Sequence, residues 1–215
     1  MIYNIDTAKQ VAKYLLQINA IILQPNNPFI WAAGWKSPIY CDNRKILSYP
    51  EVRTYIRQNL SSIIQNRYKG ANIIGGVATA GIPHGCLVAE ELGMPFIYIR
   101  AQTKKHGRKN KIEGNTQKGE SVILVEDLIS SGKSSLAAVS AVREAGMYVK
   151  GVISIFNYGF NEAQQNFQKE DCEYISLCDY ENILSTALES NYITVEELET
   201  LKKWRESPSS WGKQI

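Results

Sequence analysis

Two adjacent carboxylates standing just before a run of small and hydroxyl residues form the most chemically pointed stretch of the sequence. It reads Val122-Ile123-Leu124-Val125-Glu126-Asp127-Leu128-Ile129-Ser130-Ser131-Gly132-Lys133-Ser134. The apolar run is a buried-type strand that ends in the two acids, and the loop after it opens a helix. Free loop amides and a helix N-terminus suit a phosphate monoester, with hydroxyls adding donors and Gly132 allowing close approach. Carboxylates a few residues upstream repel that phosphate. They are placed instead to accept from vicinal hydroxyls, or to hold magnesium through water. A sugar phosphate carries both features. Gly132-Lys133-Ser134 alone would suggest a P-loop, but that motif needs a glycine where this chain has Asp127. The plainer reading is a strand–turn–helix with surface acids. Against it, the ligand crevice of an open α/β sheet lies at such strand ends.

The elements that must position these residues alternate along the chain. Asp6 or Thr7 is placed to cap a first helix carrying Val11, Leu15, Ile18 and Ile22 at helical spacing. Residues 25–50 are turn-rich. Ser48 and Glu51 have capping-box spacing, ahead of a helical face of Val52, Ile56, Leu60, Ile63 and Ile64. A βα pattern follows: strands at 72–77, 96–99, 121–125, 149–156 and 174–177, with helices at 83–92 and 134–144. Two helices finish the chain, the second capped by Thr194 with Glu197. Continuous apolar strands alternating with helices predict an α/β fold with a mostly parallel sheet covered on both faces. Residues 101–118 fit none of this. Eighteen polar residues between two strands make too long a routine connection, and such loops are usually functional or disordered.

Composition bounds the classes. At 215 residues the chain is about one domain, and 44% hydrophobic with 21% charged residues is ordinary globular usage. Four cysteines without CxxC spacing and two histidines argue against structural zinc. The apolar runs fall short of a membrane span, and the first residues lack a signal-peptide pattern, so a reducing, cytoplasmic setting is expected. A net charge of +3 is too small for a general nucleic-acid binder.

The segment from Val122 to Ser134 resembles the 5-phosphoribosyl-1-pyrophosphate (PRPP) motif of type I phosphoribosyltransferases. Three further segments narrow the resemblance to orotate phosphoribosyltransferases. Gly34 to Arg44, with Lys36, Tyr40 and Asp42, is similar to the segment over the base site. Gly75 to Pro83, with Thr79, Ala80 and Gly81, is similar to the pyrophosphate loop. Arg100, Lys104, His106, Arg108 and Glu113 resemble the mobile catalytic loop. The resemblance covers about residues 4–205.

It implies a single phosphoribosyltransferase domain: a core of about 46–180, and a small N-terminal hood of about 1–45 with C-terminal contributions. It implies transfer from PRPP to orotate, giving orotidine 5′-phosphate and pyrophosphate, with Mg2+ held through PRPP and at most water-mediated to Asp127. It also implies a homodimer whose mobile loop serves the partner's site. Glu126 and Asp127 would hold the ribose hydroxyls, and Ser130, Ser131, Gly132, Lys133 and Ser134 the 5′-phosphate, with Leu128 and Ile129 also in the PRPP site. Thr79, Ala80, Arg100, Lys104 and His106 would meet pyrophosphate. For orotate the candidates are Ser130, Lys36, Tyr40 and Arg44. His84, beside Pro83 at a helix start, reads as structural.

The chain departs from the enterobacterial and yeast branch at Ala32, at Ala101, at Thr79-Ala80 and at Tyr158, where that branch places an arginine on the orotate carboxylate. It is closer to the Bacillus-like branch. A phosphoribosyltransferase for another base is one rival, and a PRPP-binding regulator without activity another. The basic loop speaks against the regulator. Residues 101–118 hold six Lys or Arg against one Glu, a net +5, and the rest of the chain eighteen against twenty, a net −2. One concentrated cationic segment on a slightly acidic body suits a small polyanion.

Overall fold

Helix α1 (Ile5–Gln17) begins at Asn4, whose side chain accepts from the Thr7 amide, so neither Asp6 nor Thr7 is its cap. It ends before the predicted pattern does, and Ile22 belongs to the next strand. Four short strands follow: β1 (Ile21–Leu23), β2 (Phe29–Ile30), β3 (Lys36–Ser37) and β4 (Ile39–Cys41). They form two antiparallel ribbons, β1 with β4 and β2 with β3. A 3-10 turn over Asn43–Ser48 leads into α2 (Pro50–Arg67). The Ser48/Glu51 capping box is not formed. Tyr49 is the cap and makes no side-chain bond there, and Pro50 opens the first turn, where its missing N–H costs nothing. The predicted apolar face of α2 is buried throughout. The chain is described here from a computed structural model covering residues 1–30, 34, 36–101 and 111–212.

The main sheet takes shape from β5 (Ile73–Val77), α3 (Gly81–Leu92), β6 (Phe96–Ile99), β7 (Ile112–Glu113), β8 (Ser121–Ile129), α4 (Lys133–Glu144), β9 (Tyr148–Asn157), α5 (Asn161–Lys169) and β10 (Tyr174–Asp179). Helices α6 (Tyr180–Glu189) and α7 (Val195–Glu206) close the described fold, and α7 carries the expected Thr194/Glu197 capping box. The six strands lie in the order β10-β9-β8-β5-β6-β7. All neighbours are parallel except β7, which turns back antiparallel on β6 out of the polar segment. Strand β7 and helix α5 went unread in the sequence. Neither shows a long apolar period, and α5 buries only Ala163 and Phe167.

The pleat of β8 divides the core. Ile123 and Val125 pack with residues of α1, α2, α6 and α7. Val122 and Leu124 pack with residues of α4 and α5 on the other face. Successive strand residues point to opposite faces, so the two acids that follow must also part company. From β5 the chain steps to β6 on one side, then returns to β8 on the other. That reversal is a topological switch point, where open α/β sheets hold ligands at the strands' carboxyl ends.

Candidate active site

The acids are not at the end of β8 but inside it, because the strand runs on to Ile129. Glu126 is 4% exposed and faces α4, where the hydroxyls of Ser134 and Ser135 both approach its Oε2, at 3.4 and 3.2 Å. Asp127 is half-buried and lines a cavity of about 410 Å3 with Cys41, Asp42, Arg44, Thr79, Ala80 and Ser130. Glu126, Leu128 and Ser134 share that cavity. Residues distant in sequence thus converge at the crevice between β5 and β8.

Burial pushes the Glu126 carboxyl well up from its ordinary value, and the charge of Asp127 adds to the rise. Asp127 is raised too, chiefly by burial, with hydrogen bonding to Glu126 opposing. The pair therefore resists carrying two negative charges by itself and is primed to ionise against a cation. Cys41, beside it, has its thiol raised by burial and by Asp127 and Asp42, so it is a protonated wall residue rather than a nucleophile.

Three local devices set this geometry. Asn43 is fully buried and donates from Nδ2 to the Asp127 carbonyl at 2.8 Å, pinning the 3-10 turn to β8. Gly81 lets the start of α3 press on β8, since a Cβ there would collide with the Val125 carbonyl and lie 3.2 Å from the Glu126 Cα. Gly132 caps α4 in the left-handed region (φ 79°) without a side-chain bond, and a Cβ there would meet Phe167 at 2.7 Å. The first-turn amides of α4 are left available to an anion.

The predicted residues divide accordingly. Glu126, Asp127, Leu128, Ser130, Ser134, Thr79, Ala80 and Arg44 meet at one cavity. Ser131 and Lys133 line a second cavity of about 460 Å3 that shares Ser130 with the first. Lys133 turns its ammonium to Glu162 at 3.1 Å and is mostly exposed, so its contribution to the loop is its backbone. Ile129 sends its side chain into the core. Arg100 pairs with Glu113 at 3.3 Å. Arg44, exposed, pairs with Asp42 at 2.6 Å, which holds that carboxyl below its usual range. Tyr40 packs against Phe29, with ring centroids 5.5 Å apart, and lines neither cavity; nor does Lys36, whose stem lies against Gly212. Lys104, His106 and Ala32 lie outside the described residues. His84 is buried beside the Asn43 backbone, and burial pushes it down to about 4, so it stays neutral as a packing residue. Ser135 and Asn43 went unassigned in the sequence because their parts depend on contacts across the fold.

The arrangement offers amide donors for a phosphate, a cation-seeking acid pair and a backbone loop facing it. Residues 43–189 match the model of the phosphoribosyl transferase domain. The orotate phosphoribosyltransferase of Porphyromonas gingivalis is 46% identical over 95% of this chain and 97% of its own. That of Bacillus pumilus is 49% identical over 94% of this chain and 95% of its own. The crystal structure of orotate phosphoribosyltransferase from Aeropyrum pernix superposes with a TM-score of 0.74 at 23% identity, covering 86% of this chain and 99% of that one, a likeness of fold. By its domain, its relatives and its fold, the chain belongs to the phosphoribosyltransferases and, among them, to the orotate phosphoribosyltransferases.

Proposed function

We propose that this chain transfers the 5-phosphoribosyl group of PRPP to orotate, releasing pyrophosphate and forming orotidine 5′-phosphate on the route to UMP. The observation that carries this reading is the acid pair at the β5/β8 switch point, in a cavity that runs onto the Ser130–Ser134 loop. The loop amides and hydroxyls take the 5′-phosphate. Glu126 and Asp127 accept from the ribose hydroxyls and, ionised, stabilise the positive charge that grows on the sugar. The bond from C1 to pyrophosphate breaks with its electron pair leaving on the pyrophosphate oxygen. The orotate ring nitrogen supplies the pair for the new C1–N bond, so no protein nucleophile is required. Thr79 and Ala80 face the leaving group with their backbone, and Arg100, Lys104 and His106 neutralise it.

The donor set fits magnesium. A half-buried Asp127 on a cavity wall offers the sparse hard-oxygen environment in which Mg2+ would keep most of its waters. Among the described residues there is no group of three or more His, Cys, Asp or Glu to bind a metal outright. Asp127 would hold the ion through water, and when bound it supplies charge neutralisation for pyrophosphate. A homodimer with Lys104 and His106 reaching the partner's site follows from the family resemblance. Free thiols at Cys41, Cys86, Cys172 and Cys178 support a reducing, cytoplasmic setting, and among the described residues no helix is long and apolar enough to cross a membrane. Loss of orotate absorbance with PRPP and magnesium tests the reading. Turnover of uracil or a purine in place of orotate would replace it with the other-base reading.

A further inference from the structure

The second cavity, of about 460 Å3, lies within the range of small-ligand clefts and begins at Ser130. Its far wall is Gly159, Phe160 and Arg205. We infer that Arg205, on the C-terminal helix α7, is the cation that receives the carboxylate of orotate in this cavity. The inference rests on the reading that orotate is the substrate.

Tyr158 is 2% exposed and lines neither cavity. Its ring stacks on Phe160 at 5.2 Å and meets Trp204 edge-on at 5.9 Å. Trp204, fully buried, also packs on Phe160 and Tyr180. This aromatic cluster seats the end of α7 over the loop after β9. The residue next to Trp204 is then delivered to that loop. Arg205 Nη1 lies 3.7 Å from where a Cβ on Gly159 would stand, and Gly159 has none. Its guanidinium carbon sits 5.8 Å from the Tyr180 ring centre, which holds the plane, and Nη2 engages Glu181 at 2.5 Å. One edge of the guanidinium is thus fixed while the Nη1 edge stands beside the cavity wall. A planar fork of donors matches a carboxylate in a way that a lysine ammonium does not. The other cation lining the cavity, Lys133, also has a carboxylate partner but is 78% exposed against 30% for Arg205, so Arg205 is the more enclosed donor. Tyr158 thus serves to dock the helix that brings Arg205 beside Gly159.

Steady-state kinetics on four proteins tests this. Arg205→Met keeps the apolar stem on Tyr180, and is expected to raise KM for orotate about tenfold or more while KM for PRPP stays within about twofold. Arg205→Lys should recover part of the loss. Glu181→Gln loosens the guanidinium but keeps it, and should raise KM for orotate far less than Arg205→Met does. Unchanged orotate KM in Arg205→Met overturns the inference. So does a parallel rise for both substrates, or Glu181→Gln matching Arg205→Met, since each marks a structural pair. If Arg205→Met does not fold, the Lys and Gln variants carry the test: Arg205→Lys must raise KM for orotate alone, and equal effects from both variants count against it. A wild-type protein that turns over no orotate overturns the function itself, a failure visible before any variant is made.

Discussion

The Asn43 amide donates to the backbone carbonyl of Asp127 across 2.8 Å, joining residues 84 positions apart, and Asn43 is fully buried. A turn between the N-terminal ribbons and α2 thereby holds the strand at Asp127, which lines the cavity between β5 and β8. Removing the donor leaves a buried carbonyl unpaired. Asn43→Ala should cost about 1–3 kcal/mol. In a chain of this size each kcal/mol corresponds to about 2–4 °C in melting temperature. Because the strand loses its pin at Asp127, KM for PRPP should rise as well. Calorimetry with PRPP titration checks both.

Glu126 sets stability against activity. Its carboxyl lies above the unfolded value because burial disfavours its charge. The folded state therefore binds more protons than the unfolded state as pH rises from the ordinary glutamate range toward the raised value, and stability falls across that window. Glu126→Gln cannot ionise and should escape this loss. Its melting temperature should exceed wild type by more at pH 8 than at pH 5. The same variant should lose at least about tenfold in kcat/KM for PRPP, because a neutral amide cannot stabilise the cationic sugar. In wild type, kcat/KM for PRPP should climb with pH as the acid pair ionises. Thermal melts and a pH–rate profile read both.

Gly81 is where the start of α3 meets β8. A Cβ there collides with the Val125 carbonyl, a backbone group that cannot swing aside. Gly81→Ala should cost about 1–3 kcal/mol by overpacking and push Thr79 and Ala80 away from the acids. Gly93→Ala makes a useful control for the glycine change itself: Gly93 has open space around it, although its left-handed φ of 61° carries its own strain. Gly81→Ala should lose far more activity than Gly93→Ala for a similar fall in melting temperature.

Lys104 carries the account of the basic segment. Lys104→Ala should lower kcat at least about tenfold, as expected for a group that neutralises charge on the leaving pyrophosphate. Its melting temperature should match wild type. Wild-type turnover in that variant would remove the role assigned to the loop.

Much of this was legible in the sequence because it was local. The parallel strands and the helices between them followed from apolar runs and periods, and the loop at Ser130–Ser134 from residue type and order. The acids read as the end of their strand but lie inside it. Their polarity suggested the end of the strand, whereas hydrogen bonding to β9 carries β8 to Ile129. The opposite facing of Glu126 and Asp127 then follows from the pleat, but only once the strand is known to continue. Asn4, Tyr49 and Pro50 displaced the predicted caps, since several residues near each helix start could serve and backbone geometry chose among them. Asn43 and Arg205 have partners far along the chain, and Ser135 meets Glu126 only because the loop folds its helix back on the strand; no short-range pattern marks such pairs. Tyr40 and Lys36 carry the resemblance to the base-site segment, yet their side chains line neither cavity.

The most direct test follows orotate loss and pyrophosphate release together in wild-type protein supplied with PRPP and magnesium. One pyrophosphate should be released for each orotate consumed, with neither change when PRPP or orotate is omitted. Tight PRPP binding with no loss of orotate and no pyrophosphate formed would contradict the proposed transfer.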